Sequence, residues 1–473
     1  MSDLHFITAS EAAALFRSGK LSPVELTRAY LDRIEALDHL IDSYITVTIE
    51  RAMADAGRAE REFAAGLDRG PMHGIPYCLK DIVETEGILT TGQSRSLAQH
   101  IPTKDATLEA RLRAGGAVLL GKATTWEFAH GGPSWDVVAP PARNPWNRDN
   151  HPAGSSSGTG AAIAAGMAAT GIGTDTGGSI RLPAAVCGIA GLKPTYGRVS
   201  RTGVLPNSFT HDHAGPMAWA SQDVAMMLAV IAGHDPLDPG SGEVSVAGDL
   251  AQLDERVLSG LTIGVPYRWF EEEAPSSAEV REAFDAALSA MVDAGARVVP
   301  VELPSLESYA DAKKTIAMAE LYSIHHKTLK ETPHLLGESL RYRIQCGALI
   351  RAEDYVQAMR WRTQLSRVTQ AVFDTVDILA MPTAEPAGRL EATPHSWLFK
   401  HKSLTTPFNT TGNPALSVCN GFSKAGMPLS LQLVGKPFDD RLVLSVGSAY
   451  EQITPWRAKR PVLAGAEPAS SAA

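Results

Sequence analysis

Apolar residues recur at helical spacing over 9–18 and over 23–39, and each stretch opens on a capping-box sequence, Thr8-Ala-Ser-Glu11 and Ser22-Pro-Val-Glu25. The second also places proline at the first helical position, where its missing N–H removes no helical bond. The pattern then predicts a strand over 44–47, a helix over 50–65 and a strand over 74–80 that ends in Lys80. A helix over 106–114 leads into a short apolar strand at 117–120. Further strands are predicted at 262–265, 297–301, 377–381, 415–419 and 430–434. Between 276 and 373 the periodicity is otherwise mostly helical. Strands alternating with helices argue an α/β fold around a large sheet. The turn-rich run His234-Asp-Pro-Leu-Asp-Pro-Gly240 marks a loop and 464–473 a frayed tail, but no break marks a second domain.

One stretch departs from this patterning. From Ala153 to Ser179 only Ile163, Met167, Ile172 and Asp175 differ from Ala, Gly, Ser and Thr. Such a run buries little apolar area and loses much chain entropy on folding. A solvated linker would tolerate that, yet 161–169 is Ala-rich and helix-forming, which Gly/Ser linkers are not. The stretch reads as backbone packed against backbone, with hydroxyl and N–H groups left facing something. That is the composition of an active site.

Composition changes the picture only by exclusion. With 473 residues, 44% hydrophobic and 20% charged, this is an ordinary globular chain. Its formal net charge of −9 gives no basic footprint, so neither nucleic acid nor an anionic membrane is an expected partner. Cys78, Cys187, Cys346 and Cys419 have no metal-ligand spacing and read as buried small hydrophobes in a reducing compartment. The N-terminus lacks the basic and apolar regions of a signal peptide, and no apolar run approaches the ~20 residues that span a bilayer. The cytoplasm is the expected location, and size alone suggests a homodimer.

Several short motifs fail on context. Gly116 to Lys122 nearly matches a P-loop, but Ala123 stands where Ser or Thr would hold Mg²⁺, and the residues between form an apolar strand. Gly154-Ser-Ser-Ser-Gly158 fits a nucleophile elbow, yet a loop and not a strand precedes it. Asp175-Thr-Gly177 has no second copy to share a proton with, so Asp175 is expected to bind backbone or a hydroxyl. His211 and His213 lack a third ligand, so no metal is expected.

What survives is a hydroxyl nucleophile. The small residues of Thr174-Asp-Thr-Gly-Gly-Ser179 let several N–H groups converge on one point, as an oxyanion hole requires. Ser179 still needs a base. His151 is the only histidine near the stretch, and there is no SxxK pairing. Burial lowers a lysine pKa by penalising the charge, so Lys80 is the best remaining candidate. The alternative is a surface lysine paired with Asp81 or Glu84.

The chain resembles the amidase signature family. The resemblance runs through GIPYCLKD (74–81), the following TTGQS, GSSSGTGAAIAAG (154–166), GTDTGGSIRLPAAVCGIAGLKPTYG (173–197), HAGPM (213–217), and the C-terminal PFNTTGNPALSV and LQLVG. It implies an α/β fold: one three-layer α/β/α domain over 1–473, its central mixed sheet covered by helices on both faces, with the helical span at about 276–373 shaping the substrate pocket. It also implies a Ser-Ser-Lys unit with no cofactor: Ser179 as nucleophile, Ser155 as bridge and Lys80 as base. Backbone N–H groups of the run Thr176, Gly177, Gly178 and Ser179 would form the oxyanion hole, and the Gly154–Ser155 peptide would be cis. Where the family usually reads GGSSGG, this chain has Ala153-Gly-Ser-Ser-Ser157-Gly158, and Ser157 would tolerate a positive φ poorly.

The implied reaction is hydrolysis of an amide of a small molecule, with carbamates and esters as further candidates. Trp126, Phe128, Gly131 and Ser156 are the residues expected around the substrate, with Trp135, Trp361, Trp397 and Phe399 as further aromatic candidates. The alternative within the family is the glutaminase component of a glutamine-dependent tRNA amidotransferase, its A subunit. That component carries an acidic residue suited to the amino group of glutamine, where Phe399-Lys-His-Lys-Ser-Leu-Thr405 places Lys402. Lysine repels an ammonium, so a stand-alone amidase is the expectation. A non-catalytic binding protein on the same fold is the remaining alternative.

Overall fold

The computed structural model describes residues 4–244, 250–391 and 402–463. The expected frayed tail at 464–473, Trp397 and Phe399 lie outside them. Among the described residues no helix is long and apolar enough to cross a membrane.

The N-terminal helices start where the caps predict. At Ala9–Arg17 the capping box is complete: Thr8 Oγ1 accepts the Glu11 N–H at 3.2 Å, and Glu11 Oε2 accepts the Thr8 N–H at 2.9 Å. At Pro23–Ile41 the cap is simpler, Ser22 Oγ accepting the Val24 N–H at 3.0 Å. Helices flank a single mixed sheet of 11 strands, in the order β1-β3-β2-β4-β6-β5-β10-β11-β9-β7-β8. In chain order these are β1 (Tyr44–Val47), β2 (Pro76–Lys80), β3 (Val118–Ala123), β4 (Thr170–Asp175), β5 (Ala190–Lys193) and β6 (His213–Ala218). They continue with β7 (Thr262–Val265), β8 (Arg297–Pro300), β9 (Ile378–Pro382), β10 (Ala415–Phe422) and β11 (Pro428–Val434). Ile172, Leu192, Met217, Ile263, Leu379, Leu416 and Leu431 along these strands are fully buried, so the sheet is the core.

Two features of this sheet position the site. β2 runs parallel to β4 with Leu79 opposite Ile172, so Lys80 and Thr174 reach the same carboxyl edge. β6 runs antiparallel to β4 with Asp175 opposite His213, which brings the loop before His213 to that edge as well. The hydrophobic pattern does not reveal β4, β5 or β6. It predicts a helix over 161–169, whereas the helix is Ser157–Ala164 and Thr170–Asp175 is a central strand. β4 has only Ile172 and two threonines to signal a strand. Its glycines serve close approach: a Cβ at Gly171 would stand 2.7 Å from Thr159 and 2.8 Å from the Cys78 sulfur.

The predicted helical span holds Ala278–Asp293, Leu306–Glu331, Glu338–Gly347 and Ala352–Val372. A small apolar cluster of Phe128, Met318, Leu321, Leu336, Leu340 and Ile344 clamps Leu306–Glu331 and Glu338–Gly347 onto the loop that follows β3. Cys78, Cys187 and Cys419 are buried as expected, but Cys346 is only half-buried, because it lies on the outer side of a surface helix.

Candidate active site

Lys80 ends β2 and is fully buried. Its Nζ donates to Ser155 Oγ at 2.8 Å and to Thr174 Oγ1 at 2.7 Å. No ion pair joins it to Asp81 or Glu84. Asp81 faces Lys122 at 3.8 Å and accepts from Thr91, while Glu84 faces His100. The surface-lysine alternative therefore fails. Burial pulls the Lys80 pKa down to about 7, against the pull of the Asp175 and Asp212 carboxylates. A lysine so placed is half neutral near physiological pH, the property a base needs.

The Gly154–Ser155 peptide is cis. A Cβ at Gly154 would collide with the Trp126 indole, so only glycine lets the ring lie against this turn. The expected conflict at Ser157 does not arise, since Ser157 opens the helix Ser157–Ala164 with ordinary helical geometry. The left-handed residue is Ala153, at φ +54°. An L-residue there costs about 1 kcal/mol that glycine does not. Ala153→Gly is accordingly expected to raise the unfolding free energy by about 1 kcal/mol, read as a higher urea midpoint with unchanged activity.

Ser179 lies between the tip of β4 and the helix Arg181–Cys187, and its carbonyl accepts the Ser156 N–H at 3.2 Å. Among the described residues no hydrogen bond joins Ser179 Oγ to Ser155 Oγ; such contacts commonly tighten only when substrate binds. Asp175 organises the turn. Its carboxylate accepts the N–H groups of Gly178 at 2.7 Å and Ile180 at 3.2 Å, and it pairs with the buried Arg181 guanidinium at 2.9 Å. Asn409 Nδ2 adds a bond at 2.8 Å. The Arg181 charge holds the Asp175 carboxyl well below the usual range despite its burial. One consequence corrects the expected oxyanion hole. The Gly178 N–H is engaged by Asp175, which leaves the N–H groups of Thr176, Gly177 and Ser179 as donors from this run. Thr176 is itself anchored, its Oγ1 donating to Asp212 Oδ1 at 2.6 Å.

A cavity of about 150 Å³ opens onto Ser179, lined also by Trp126, His130, Gly131, Thr176, Gly177 and Asn207. The same cavity is lined by Lys313, Lys314 and Arg343, from the helices Leu306–Glu331 and Glu338–Gly347, and Lys313 Nζ lies beside Gly177. Of the expected substrate residues, Trp126 and Gly131 line this cavity and two do not. Phe128, at φ +45°, turns away into the apolar cluster described above, where its ring lies tilted against His325, with centroids 4.5 Å apart. Ser156 Oγ accepts the Thr174 N–H at 3.1 Å and donates to the Thr174 carbonyl at 3.2 Å, so it staples β4 and has no free hydroxyl for a ligand. Trp135 and Trp361 are half exposed and lie off the cavity, and Lys402 is exposed while its neighbour Ser403 lines it. Nothing in the spacing of the chain singles out Thr174, His130, Lys313 or Arg343, which meet only because distant elements pack together. His211 and His213 are buried, and His213 Nδ1 donates to the His211 carbonyl at 2.7 Å.

The profile of the family described as Amidase matches residues 25–444. The glutamyl-tRNA(Gln) amidotransferase A subunit of Chloroflexus aurantiacus is 38% identical over 98% of this chain and 100% of the relative. Among solved structures, a chain of an inhibitor-bound protein complex that reveals the evolutionary origins of an s-triazine catabolic enzyme superposes at TM-score 0.85, 32% identical over 94% of this chain and 98% of the other. Native peptide amidase from Stenotrophomonas maltophilia superposes at TM-score 0.82, 32% identical over 96% and 98%. The amidotransferase likeness overturns the expectation that nucleic acid is no partner. That expectation rested on net charge, a sum over the whole chain that is silent on local patches and on contact through a companion protein. The likeness to catalytic amidases also sets aside the non-catalytic alternative. With a cis Gly154–Ser155 peptide, Lys80 against Ser155 and the profile spanning most of its length, this chain belongs to the amidase signature family and is a hydrolase of amide bonds.

Proposed function

We propose that the chain cleaves a carboxamide C–N bond through an acyl-enzyme on Ser179, and that glutamine is the first substrate to test, as for the glutaminase component of a tRNA amidotransferase. The observation that carries the chemistry is the 2.8 Å contact between Lys80 Nζ and Ser155 Oγ. Neutral Lys80 takes a proton relayed through Ser155 as Ser179 attacks the carbonyl, and N–H groups of Thr176, Gly177 and Ser179 stabilise the oxyanion. Ser155 returns the proton to the departing nitrogen, ammonia leaves, and water cleaves the acyl-enzyme by the same relay. The full-length likeness to the Chloroflexus protein supports glutamine as the amide and tRNA amidation as its setting.

A specific observation favours a second reading, a stand-alone amidase. Among the described residues no Asp or Glu lines the cavity, and the sequence 392–401, which leads to the lining residue Ser403, contains none. A glutamine ammonium finds no counter-ion in either. Ammonia release from glutamine and from glutaramate, which lacks the α-amino group, separates the two. Faster release from glutamine is expected for the amidotransferase component. Release from glutaramate with glutamine left intact gives the site to the stand-alone enzyme. In both, Ser179→Ala is inert, and a fluorophosphonate probe labels wild type but not this variant. An unlabelled wild type sinks the acyl-enzyme itself.

A further inference from the structure

Thr176 supplies one of the N–H groups left for the oxyanion, and its side chain is anchored to Asp212, whose Oδ1 accepts from Thr176 Oγ1 at 2.6 Å. Asp212 belongs to the loop that leads into β6. Its Oδ2 accepts the N–H groups of Asn207 at 2.8 Å and Ser208 at 2.9 Å, so this carboxylate closes its own loop. Bonds inside a loop fix its shape, and bonds that leave it fix where it sits. A donor that must meet a developing charge depends on the second kind, because a misplaced donor stabilises little.

Two helices grip the loop from outside. Glu320, on Leu306–Glu331, is 5% exposed. One of its carboxylate oxygens accepts from Ser208 Oγ and from the Thr210 N–H at 3.2 Å, and the other accepts from Tyr355 Oη at 3.0 Å. Arg362, on Ala352–Val372 with Tyr355, donates to the Thr210 carbonyl at 2.8 Å and to the Thr410 carbonyl at 2.8 Å. Both backbone groups of Thr210 are therefore held by side chains of the helical span. The contacts meet in Ser208, which is fully buried: its hydroxyl goes to Glu320 and its N–H to Asp212. Burying a carboxyl group is costly unless donors match its oxygens, and here the donors come from this loop and from Tyr355. Glu320 does not itself line the cavity, although Lys313, earlier on the same helix, does.

We propose that Glu320 is a positioning residue for the hydrolysis: it fixes the loop before β6 and, through Ser208 and Asp212, the oxyanion donor Thr176. The inference deepens the acyl-enzyme reading above and rests on it. It holds whichever amide is the natural one.

The test uses phosphonylation of Ser179 by a fluorophosphonate, so no natural substrate is needed. Ser179 Oγ bonds to phosphorus, its proton passes through Ser155 to Lys80, fluoride leaves, and the phosphoryl oxygen takes the oxyanion position. In the full chain, Glu320→Ala is expected to lower the maximal labelling rate about tenfold, less than the 10²–10³-fold that loss of a whole oxyanion donor costs. The probe concentration giving half that rate should stay within about twofold, since binding is untouched. Glu320→Gln is expected to recover to within about threefold of wild type, because its amide oxygen accepts from Ser208 and Thr210 while its N–H groups face Tyr355. Thr176→Val cuts the same chain of contacts at its other end and should also cost about tenfold. Residues that act through one chain are not additive, so the double variant should lose about tenfold and not the roughly hundredfold of independent sites. Should Glu320→Ala fold poorly, Ser208→Ala removes one hydroxyl of the same chain and takes its place in the cycle. An unlabelled wild type defeats the acyl-enzyme. A labelled wild type overturns the role of Glu320 if Glu320→Ala is labelled as fast, if the two losses multiply in the double variant, or if Glu320→Gln is as slow as Glu320→Ala.

Discussion

Lys80→Met is expected to lower kcat at pH 7.5 by about a thousandfold, within the 10²–10⁴ range that general base catalysis supplies. Methionine keeps the length and apolar body of the side chain but leaves Ser155 Oγ and Thr174 Oγ1 without their donor. In wild type the neutral amine is the working form. Activity should therefore rise as pH climbs through about 7, where burial has brought the Lys80 pKa, and level off above it. The variant should lose that rise, which a merely structural lysine would not explain. Stability moves the other way. The folded amine releases its proton near 7 and the unfolded one near 10.5, so the unfolded state binds more protons between these values. The contribution of this lysine to stability is thus unfavourable below about 7 and improves with rising pH across that window. Methionine removes the buried charge, so lost activity with an unchanged or higher melting temperature identifies a chemical role. A variant with near wild-type kcat at neutral pH would remove Lys80 from the mechanism.

The second large effect falls on Asp175. Asp175→Asn keeps the shape of the side chain but leaves the Arg181 guanidinium buried and unpaired, a loss of about 3–5 kcal/mol when one member of a buried pair is removed. It also weakens the acceptors for the Gly178 and Ile180 N–H groups that bracket Ser179. The urea midpoint should fall substantially, and kcat should fall in protein that remains folded, because the oxyanion donors lose their fixed position. Since Arg181 holds the carboxyl well below the usual range, this stabilisation is complete above the ordinary carboxylate pKa and is lost only as pH falls far below it. Wild type should keep it through mildly acidic pH, and the stability gap to the variant should narrow only in strong acid. An unchanged urea midpoint would mean that Asp175 does not organise the turn.

The two residues differ in how they were legible. Lys80 stood out as a lysine ending an uncharged strand, yet a surface lysine paired with Asp81 reads the same until β2 is seen buried between β3 and β4. Asp175 suggested backbone binding, but its pairing with Arg181 needs a turn that brings both onto one side. The φ of Ala153 and the inward turn of Phe128 were invisible, because positive φ at an ordinary residue is imposed by packing and leaves no trace in local propensity. Strand β4 was hidden for the opposite reason: its glycines satisfy neighbours and give no hydrophobic signal.

Local chemistry determined much of this protein from the chain alone. Caps and apolar spacing placed the flanking helices and outer strands, and the small-residue run with its family motifs marked Lys80, Ser155 and Ser179. These features depend on residues within a few positions of one another. Tertiary structure decided the rest. Which N–H groups remain free beside Ser179 follows from a turn closed locally on Asp175, but the placing of Lys313 beside Gly177, and of Arg343 on the same cavity, depends on contacts across more than a hundred residues. Such contacts are set by packing the helical span onto the sheet edge, and charge summed along a sequence carries no record of them.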